Sequence, residues 1–123
     1  MPGPTEDGHV AFADAKAGLV TEISLHNDAA GATGLNEITG GDPAYARQTP
    51  TYASAAWVTD QAVASLSASL EFSGPANEPV AEVGYWAGST FLGSKAPTGD
   101  AQMNAEGEYT VDQADVTDGP QAA

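Results

Sequence analysis

The sequence predicts an all-β domain: an antiparallel β-sandwich of about six to eight short strands, Greek-key-like, with long Gly/Asp-rich loops and extended termini. The 14 glycines and 8 prolines among 123 residues indicate many turns. Several short segments alternate apolar and polar side chains, which is the pattern of strands buried on one face. Hydrophobic residues make up 41% of the chain, but many are alanine, so we expect a thin two-layer core.

The first part of the chain is predicted to contain an arm, a short helix, a strand and a long loop. Residues 1–8 are rich in Pro, Gly and acidic side chains, and this composition predicts an extended arm. Residues 9–16 suit one or two helical turns. Residues 19–26, with the sequence LVTEISLH, alternate in polarity and predict a half-buried strand. Four glycines and a Gly-Asp-Pro turn make residues 27–43 a loop.

The rest of the chain is predicted to form strands and a tail. The segment 62–72 alternates serine with alanine and leucine, which favours a strand over a helix. Residues 117–123 predict a C-terminal tail, which leaves residues 9–116 as a single β-sandwich domain. The further predicted strands are 51–59, 80–88, 89–95 after a hairpin turn at Ala87-Gly88, and a short stretch around 108–111.

The charge of the chain excludes several classes of partner. The chain has 17 acidic residues and only three basic ones, Lys16, Arg47 and Lys95, which gives a net charge of −14. Phosphate backbones and anionic membrane surfaces repel so acidic a chain, so we expect neither nucleic acid nor membrane as a partner. There is no cysteine, no signal-peptide pattern at the N-terminus and no apolar run of the ~20 residues that span a bilayer. We therefore expect a soluble product made in a cytoplasm.

Candidate catalytic groups are few. His9 and His26 are the only imidazoles, and a nucleophilic role would need a serine such as Ser24 beside one of them. No nucleophile-elbow sequence supports that role, so both histidines are expected at strand ends on the surface. Glu106 and Glu108 would share one strand face, but an exposed acidic edge is the simpler interpretation. We predict no catalytic residues and no enzyme.

Metal and cofactor motifs are also missing from the sequence. Asp112, Asp115 and Asp118 precede Gly119 in an acidic segment, but it lacks the ligand order and the closing glutamate of an EF-hand loop. The glycines in 34–41 match neither a P-loop nor a dinucleotide-binding fingerprint. We predict no cofactor and no metal site, and leave open whether Ca²⁺ binds the acidic loops.

Arg47 lies at the boundary between the Gly/Asp-rich loop and the strand that begins near Thr51. Because an arginine fork holds a carboxylate and backbone oxygens together, we predict a structural clasp. In this clasp Arg47 pairs with Glu37 or Asp42, or donates to loop carbonyls, and so fixes the loop against the strand.

Four aromatic residues are candidates for an interface or a ligand site: Tyr45, Trp57, Tyr85 and Trp86. Flat aromatic faces stack on sugar rings, which makes a carbohydrate platform one interpretation. Both tryptophans fall in predicted strands, where a position in the core or in an intersubunit interface is the commoner outcome.

Two segments, 26–52 and 80–111, carry short motifs that occur together in one family. These motifs are Leu25-His26, Asn36-Glu37, Thr39-Gly40-Gly41, Ala44-Tyr45-Ala46-Arg47, Gly84-Tyr85-Trp86, Thr90-Phe91-Leu92-Gly93-Ser94 and Gly107-Glu108-Tyr109-Thr110. In this pattern the chain resembles small proteins encoded by phages of actinobacteria, which are described as tail-fibre or minor virion proteins. The chain departs from the family pattern at its N-terminus, where a clearer amphipathic helix is expected, and in its short GYWAGST hairpin.

The resemblance implies a non-enzymatic, β-rich structural protein of a tailed bacteriophage virion, made in the cytoplasm of the bacterial host. The first expectation is a small decoration or minor capsid protein on the particle exterior that stabilises the shell. The alternative is a tail-fibre-like or minor tail protein that contacts the host surface and binds glycans. The implied partners are other virion proteins and further copies of the chain, as a homo-oligomer or a lattice. For a decoration protein, we expect residues 1–8 and 112–123 to become ordered against neighbouring subunits.

Overall fold

The computed structural model describes residues 5–119 of the chain. This part is mainly β, as predicted, with small antiparallel sheets and one helix. The elements are α1 (Glu6–Leu19), β1 (Glu22–His26), β2 (Ala56–Val58), β3 (Gln61–Ala64), β4 (Leu70–Ser73), β5 (Glu82–Ala87), β6 (Thr90–Lys95), β7 (Glu108–Val111) and β8 (Val116–Asp118).

The strands form three sheets, with the orders β1–β5–β6, β2–β3–β8 and β4–β7, and each pair is antiparallel. In the first sheet Ile23 lies opposite Tyr85, and β5 returns as β6 through a turn in which Gly88 has φ +59°. A register shift between Tyr85 and Trp86 interrupts the β5–β6 ladder. The predicted hairpin at Ala87-Gly88 and the predicted strand around 108–111 are both present.

Helix α1 begins at a capped N-terminus. The Thr5 hydroxyl accepts a hydrogen bond from the Gly8 amide at 3.1 Å, which satisfies one free donor of the first turn. Glu6 and Asp7 lie in that first turn and Lys16 in the last, so the charges complement the helix dipole at both ends. The extended arm predicted for residues 1–8 is therefore wrong for Glu6 to Gly8, which lie in α1, whereas the cap residue Thr5 is extended. Residues 1–4 lie outside the described residues.

One narrow stripe of α1 packs on the protein. His9, Ala13 and Ala17, spaced four residues apart, are its buried residues, Gly8 and Val10 are half-buried, and the remaining positions are exposed. The helix is also longer than the one or two turns predicted for 9–16. Because this buried stripe is narrow and consists largely of alanine, the sequence shows little helical periodicity of polarity. Alanine favours a helix but does not indicate which face of it is buried.

The strand boundaries differ from the prediction where the chain turns. Segment 51–59 contains only β2, which ends where Thr59 takes a left-handed conformation with φ +58° and turns the chain into β3. Segment 62–72 divides into β3 and β4. Between them the Ser67 amide donates to the Thr51 carbonyl at 2.9 Å. This stretch therefore pairs with the segment around Thr51 and belongs to neither sheet.

The C-terminal tail predicted from residue 117 begins inside a strand. Residues 116–118 form β8, which pairs with β3 so that Ala64 lies opposite Val116 and Ala62 opposite Asp118. Val116 is buried, and this burial together with the pairing holds the segment in the sheet. Residues 120–123 of the predicted tail lie outside the described residues.

A single apolar core connects the three sheets and the helix. Strands of each sheet turn a face toward it, and Ala17 is the residue that α1 contributes. The core residues are Ala17, Val20, Ile23, Leu25, Ile38, Ala64, Leu70, Phe72, Val80, Val83, Met103, Tyr109, Val111, Ala114 and Val116. Within residues 5–119 no helix has both the length and the apolar character needed to cross a membrane.

Three glycines meet where three loops pack backbone to backbone. The Gly74 amide donates to the Gly107 carbonyl at 2.9 Å. A methyl group added at Gly107 would overlap the carbonyl oxygen of Gly74, and one added at Gly41 would overlap the carbonyl carbon of Gly74. Gly41 and Gly107 also have φ angles of +96° and +72°, which disfavour any side chain. We call these three residues the glycine junction.

Candidate functional site

Arg47 forms the centre of a polar cluster on the first sheet. Its Nε lies 2.9 Å from Oε2 of Glu37 and its Nη2 lies 2.8 Å from Oε1, so the two side chains pair through two parallel hydrogen bonds. Nη1 lies 3.4 Å from Oε1 of Glu22, and the guanidinium carbon lies 3.7 Å from the centre of the Trp86 ring. Among the described residues Asp42, the other predicted partner, makes no ion pair with Arg47.

The outer edge of β1 brings these two side chains together. Gln48, next to Arg47, exchanges two backbone hydrogen bonds with Ile23, at 2.8 and 3.1 Å. Glu37 forms a bridge with His26 at the other end of the same strand. Both ends of the loop between Glu37 and Arg47 are therefore fixed to β1, and the ion pair closes the loop between these two attachments.

Tyr45 completes the cluster from within this loop. Its hydroxyl donates to Oε2 of Glu37 at 2.7 Å and accepts from the Leu25 amide at 2.9 Å. Its ring stacks on Phe72 with 6.2 Å between centroids. Burial raises the pKa of Glu37, but hydrogen bonds from Arg47 and Tyr45 outweigh this effect, so the pKa of Glu37 lies below its ordinary value. Burial raises the pKa of Tyr45, so near neutral pH the cluster contains a carboxylate, a cation and a neutral phenol.

A second polar group lies beneath Arg47 and is fully enclosed. The Trp86 Nε1 donates to the Ser24 hydroxyl at 2.8 Å, and Ser24 Oγ lies 2.7 Å from Nε2 of His26. Nδ1 of His26 lies 2.6 Å from the Leu35 carbonyl, which can only accept. In the neutral imidazole Nδ1 therefore carries the proton and Nε2 accepts from Ser24, so the hydrogen bonds run from Trp86 through Ser24 to His26.

The serine–histidine contact is closed to solvent. Ser24 and His26 are 0% exposed and Trp86 is 7% exposed, so no substrate reaches the hydroxyl. The surface position predicted for His26 is wrong, because the loop that carries Leu35 covers this face of β1. Gly84 fits against Ser24 and His26, since a methyl group at this position would overlap both side chains. This arrangement joins β1, β5 and the covering loop.

Replacing Ser24 by alanine is expected to lower the free energy of unfolding by about 2 kcal/mol, because the indole N–H of Trp86 and Nε2 of His26 would both lose their buried partner. Urea denaturation followed by circular dichroism measures the change. Ser65→Ala is the matched control, since Ser65 is exposed and its hydroxyl makes no hydrogen bond within the described residues, so this substitution should cost less than about 0.5 kcal/mol. Equal effects of the two substitutions would contradict the proposed bonding.

His9 is buried in a separate cluster that joins α1 to β8. Its Nδ1 bonds the Asp118 carboxylate, and Nζ of Lys16 lies 2.6 Å from Oδ1 of the same carboxylate. The His9 ring packs 5.7 Å from the Trp57 ring, and its Nε2 is buried without a partner among the described residues. The surface position predicted for His9 is thus also wrong, because α1 turns this residue toward the sheet. Hydrogen bonds from Lys16 and His9 hold the pKa of Asp118 below its ordinary value.

This cluster gives the protein a defined response to acid. Because the pKa of Asp118 is lower in the folded than in the unfolded chain, its contribution to stability is complete above about pH 4 and is lost as the pH falls through the folded pKa. Asp118→Asn should therefore be less stable than the wild type at pH 6, and the difference should shrink toward pH 2. Denaturant titrations at several pH values test this, and a difference that does not change with pH would contradict it.

The remaining acidic candidates do not converge. Asp112 accepts from the Ser69 hydroxyl at 2.8 Å, whereas Asp118 is held by α1, so the acidic segment does not wrap around a common point. Glu106 and Glu108 are exposed, as expected. Between residues 5 and 119, no group of three or more His, Cys, Asp or Glu side chains is arranged to hold a metal ion.

The four predicted interface aromatics lie in different environments. Trp86 is in the core beneath Arg47, and its edge meets Phe91 at 5.1 Å between centroids, so neither ring face is open. Tyr85 is half-buried and donates its hydroxyl to the Asp115 carbonyl at 3.1 Å. Trp57 is half-buried in β2, and Tyr45 belongs to the Arg47 cluster.

Neither the enclosed chain from Trp86 to His26 nor a groove beside β6 was predicted from the sequence. The groove has a volume of about 530 Å³ and is lined by residues of α1, β5, β6 and β8, among them Lys16 and Lys95. No local pattern brings two lysines 79 positions apart in the sequence to one place. Comparisons with protein-family models, with curated proteins and with solved structures found no match to this chain.

Proposed function

We propose that the protein is a non-enzymatic structural component of a tailed-phage particle, and that it acts on the particle exterior as a small decoration or minor capsid protein that stabilises the shell. The main support for this proposal is that the side chains able to take part in catalysis are occupied by contacts within the fold. Ser24, His26, Glu37 and Arg47 are bonded to one another or to neighbouring segments of the same chain, where they hold a loop on the first sheet.

The segments that resemble the phage family support the proposal through their contact. Segments 26–52 and 80–111 are far apart in the sequence, yet Arg47 of the first stacks on Trp86 of the second. The Gly-Tyr-Trp motif and the Ala-Tyr-Ala-Arg motif therefore serve one scaffold. Motifs that hold the fold together are expected in a family of structural proteins, whose members share a fold that packs against neighbouring subunits.

The partners that we propose are other virion proteins and further copies of this chain, in a homo-oligomer or a multi-copy lattice. The protein would be made in the cytoplasm of the bacterial host and then incorporated into the virion. A net charge of −14 favours protein surfaces as partners, because the chain repels the packaged nucleic acid.

We propose that the sheets form the layers of an antiparallel sandwich with Greek-key-like connections. The support is that strands of all three sheets contribute side chains to the same core. An experimental structure in which the β1–β5–β6 sheet does not face the other sheets across that core would contradict the description.

Purified particles of the encoding phage provide the test of function. We expect mass spectrometry to find the protein in washed particles at a copy number that matches capsid symmetry, and cryo-electron microscopy to place it on the head. Density on the tail would instead favour the alternative of a tail-fibre-like or minor tail protein that contacts the host surface and binds glycans. Absence of the protein from the particles would contradict both.

A further inference from the structure

The groove beside β6 has an apolar wall that solvent reaches. It runs between β6, the last turn of α1 and β8. Leu19 of α1 and Leu92 of β6 line it and are 60% and 47% exposed. Val20, Tyr85 and Val116 line it more deeply. A volume of about 530 Å³ is enough for several side chains of a bound segment.

Two of the three basic side chains of the protein line this groove. Lys16 bonds Asp118 but keeps 49% of its side chain exposed. Lys95 is half-buried, and among residues 5–119 no carboxylate lies within ion-pair distance of its ammonium group. Asp115 is the acidic residue of the lining. In a chain with a net charge of −14, this placement of the lysines makes the groove complementary to a carboxylate.

Strand β6 offers backbone partners along the same groove. It is an edge strand of the β1–β5–β6 sheet, and within the described part of the chain its outer side makes no backbone hydrogen bond. Open edges of this kind bind extended peptides as an added strand. A lysine at the end of an edge strand also discourages unwanted pairing, but that role does not explain the exposed apolar wall.

We propose that the groove binds an extended segment of a partner protein, which adds a strand to β6 and turns an apolar side chain and a carboxylate toward α1 and β8. Main-chain hydrogen bonds hold the segment, Leu19 and Leu92 enclose its apolar side chain, and Lys95 pairs with its carboxylate. The segment comes from a different protein, because a second copy paired through β6 has no acidic residue on that strand to meet Lys95. The inference depends on the groove alone and is independent of where the protein is located.

A synthetic peptide provides the probe: acetyl-Thr-Val-Thr-Glu-Thr-Val-Thr-amide, in which valine and glutamate share one face of an extended chain. Titrated into the full ¹⁵N-labelled protein, it should shift the resonances of β6 and of the end of α1. It should also slow amide exchange at alternate residues of β6, since only every second amide points outward. The counterpart with glutamine in place of glutamate should bind about fivefold more weakly, as expected for one partly exposed ion pair.

Variants of the protein make the test specific. Lys95→Gln should remove the preference for the glutamate peptide, and Leu92→Ser should weaken binding of both peptides by about fivefold or more. Leu35→Ser is the matched control, because Leu35 is 59% exposed but lies outside the groove, and it should leave binding unchanged. The proposal is overturned if the peptide leaves β6 unaffected, if both peptides bind Lys95-containing protein equally, or if sedimentation shows a dimer that Leu92→Ser dissociates.

Discussion

Replacing Gly107 by alanine is expected to lower the free energy of unfolding by about 4 kcal/mol, the largest effect that we anticipate for a single methyl group in this protein. About 1–2 kcal/mol arises from the left-handed conformation at φ +72°. The remainder arises because the new methyl group would overlap the carbonyl oxygen of Gly74. That oxygen belongs to the backbone, so relief requires movement of a whole loop.

Gly88→Ala is the control that separates these two contributions. Gly88 has φ +59°, close to the value at Gly107, but a methyl group there meets nothing within 4 Å. Its substitution should cost only about 1 kcal/mol. Chemical denaturation of both variants measures the difference, and equal losses would mean that the glycine junction has room that the structure does not indicate.

Replacing Arg47 by methionine is expected to lower the free energy of unfolding by about 3 kcal/mol. The substitution keeps much of the apolar stem but removes the two hydrogen bonds to Glu37 and the charge above Trp86. Glu37, with 21% of its side chain exposed, would remain charged without its cation. Loss of one partner of an enclosed pair costs about 3–5 kcal/mol, and we take the lower end because solvent still reaches this pair.

A double-mutant cycle tests whether the loss comes from the pair itself. Glu37→Gln and Arg47→Met, alone and together, should give a coupling free energy of about 1–3 kcal/mol. Arg47→Lys should recover little of the stability, because an ammonium group cannot form the paired hydrogen bonds of the guanidinium. Coupling below about 0.5 kcal/mol would mean that Arg47 acts through its packing on Trp86.

Local sequence patterns predicted the elements that do not depend on contacts with distant parts of the chain. The strands predicted at 80–88 and 89–95, with a turn at Ala87-Gly88, are present as β5 and β6, and the segment around 108–111 was correctly assigned to a strand. The composition of 1–8 concealed the start of α1, which depends on one hydroxyl of Thr5 as a cap. Strand β8 was missed because its three residues are ordered by pairing with β3, more than fifty positions earlier in the chain.

The candidate site was predictable only in part, for a related reason. The scarcity of cations and the arginine fork singled out Arg47, and Glu37 was near enough in the sequence to be a natural partner. An alternating strand predicts one buried face, whereas both faces of β1 are covered, so Ser24 and His26 were expected nearer the surface than they are. Contacts between distant segments determine which loop covers a strand. The local pattern of polar and apolar residues does not predict those contacts.

The glycine junction also bears on how far related sequences can diverge. Most core positions tolerate exchange among apolar side chains of similar volume. Gly41 and Gly107 have no such alternatives, because the space beside each is occupied by the backbone of another loop. In a distant relative with the same fold, the core is therefore free to change almost entirely while these two glycines stay fixed. A sequence search based on the positions of these two glycines relative to Gly74 would recognise a homologue whose overall sequence identity to this chain has been lost.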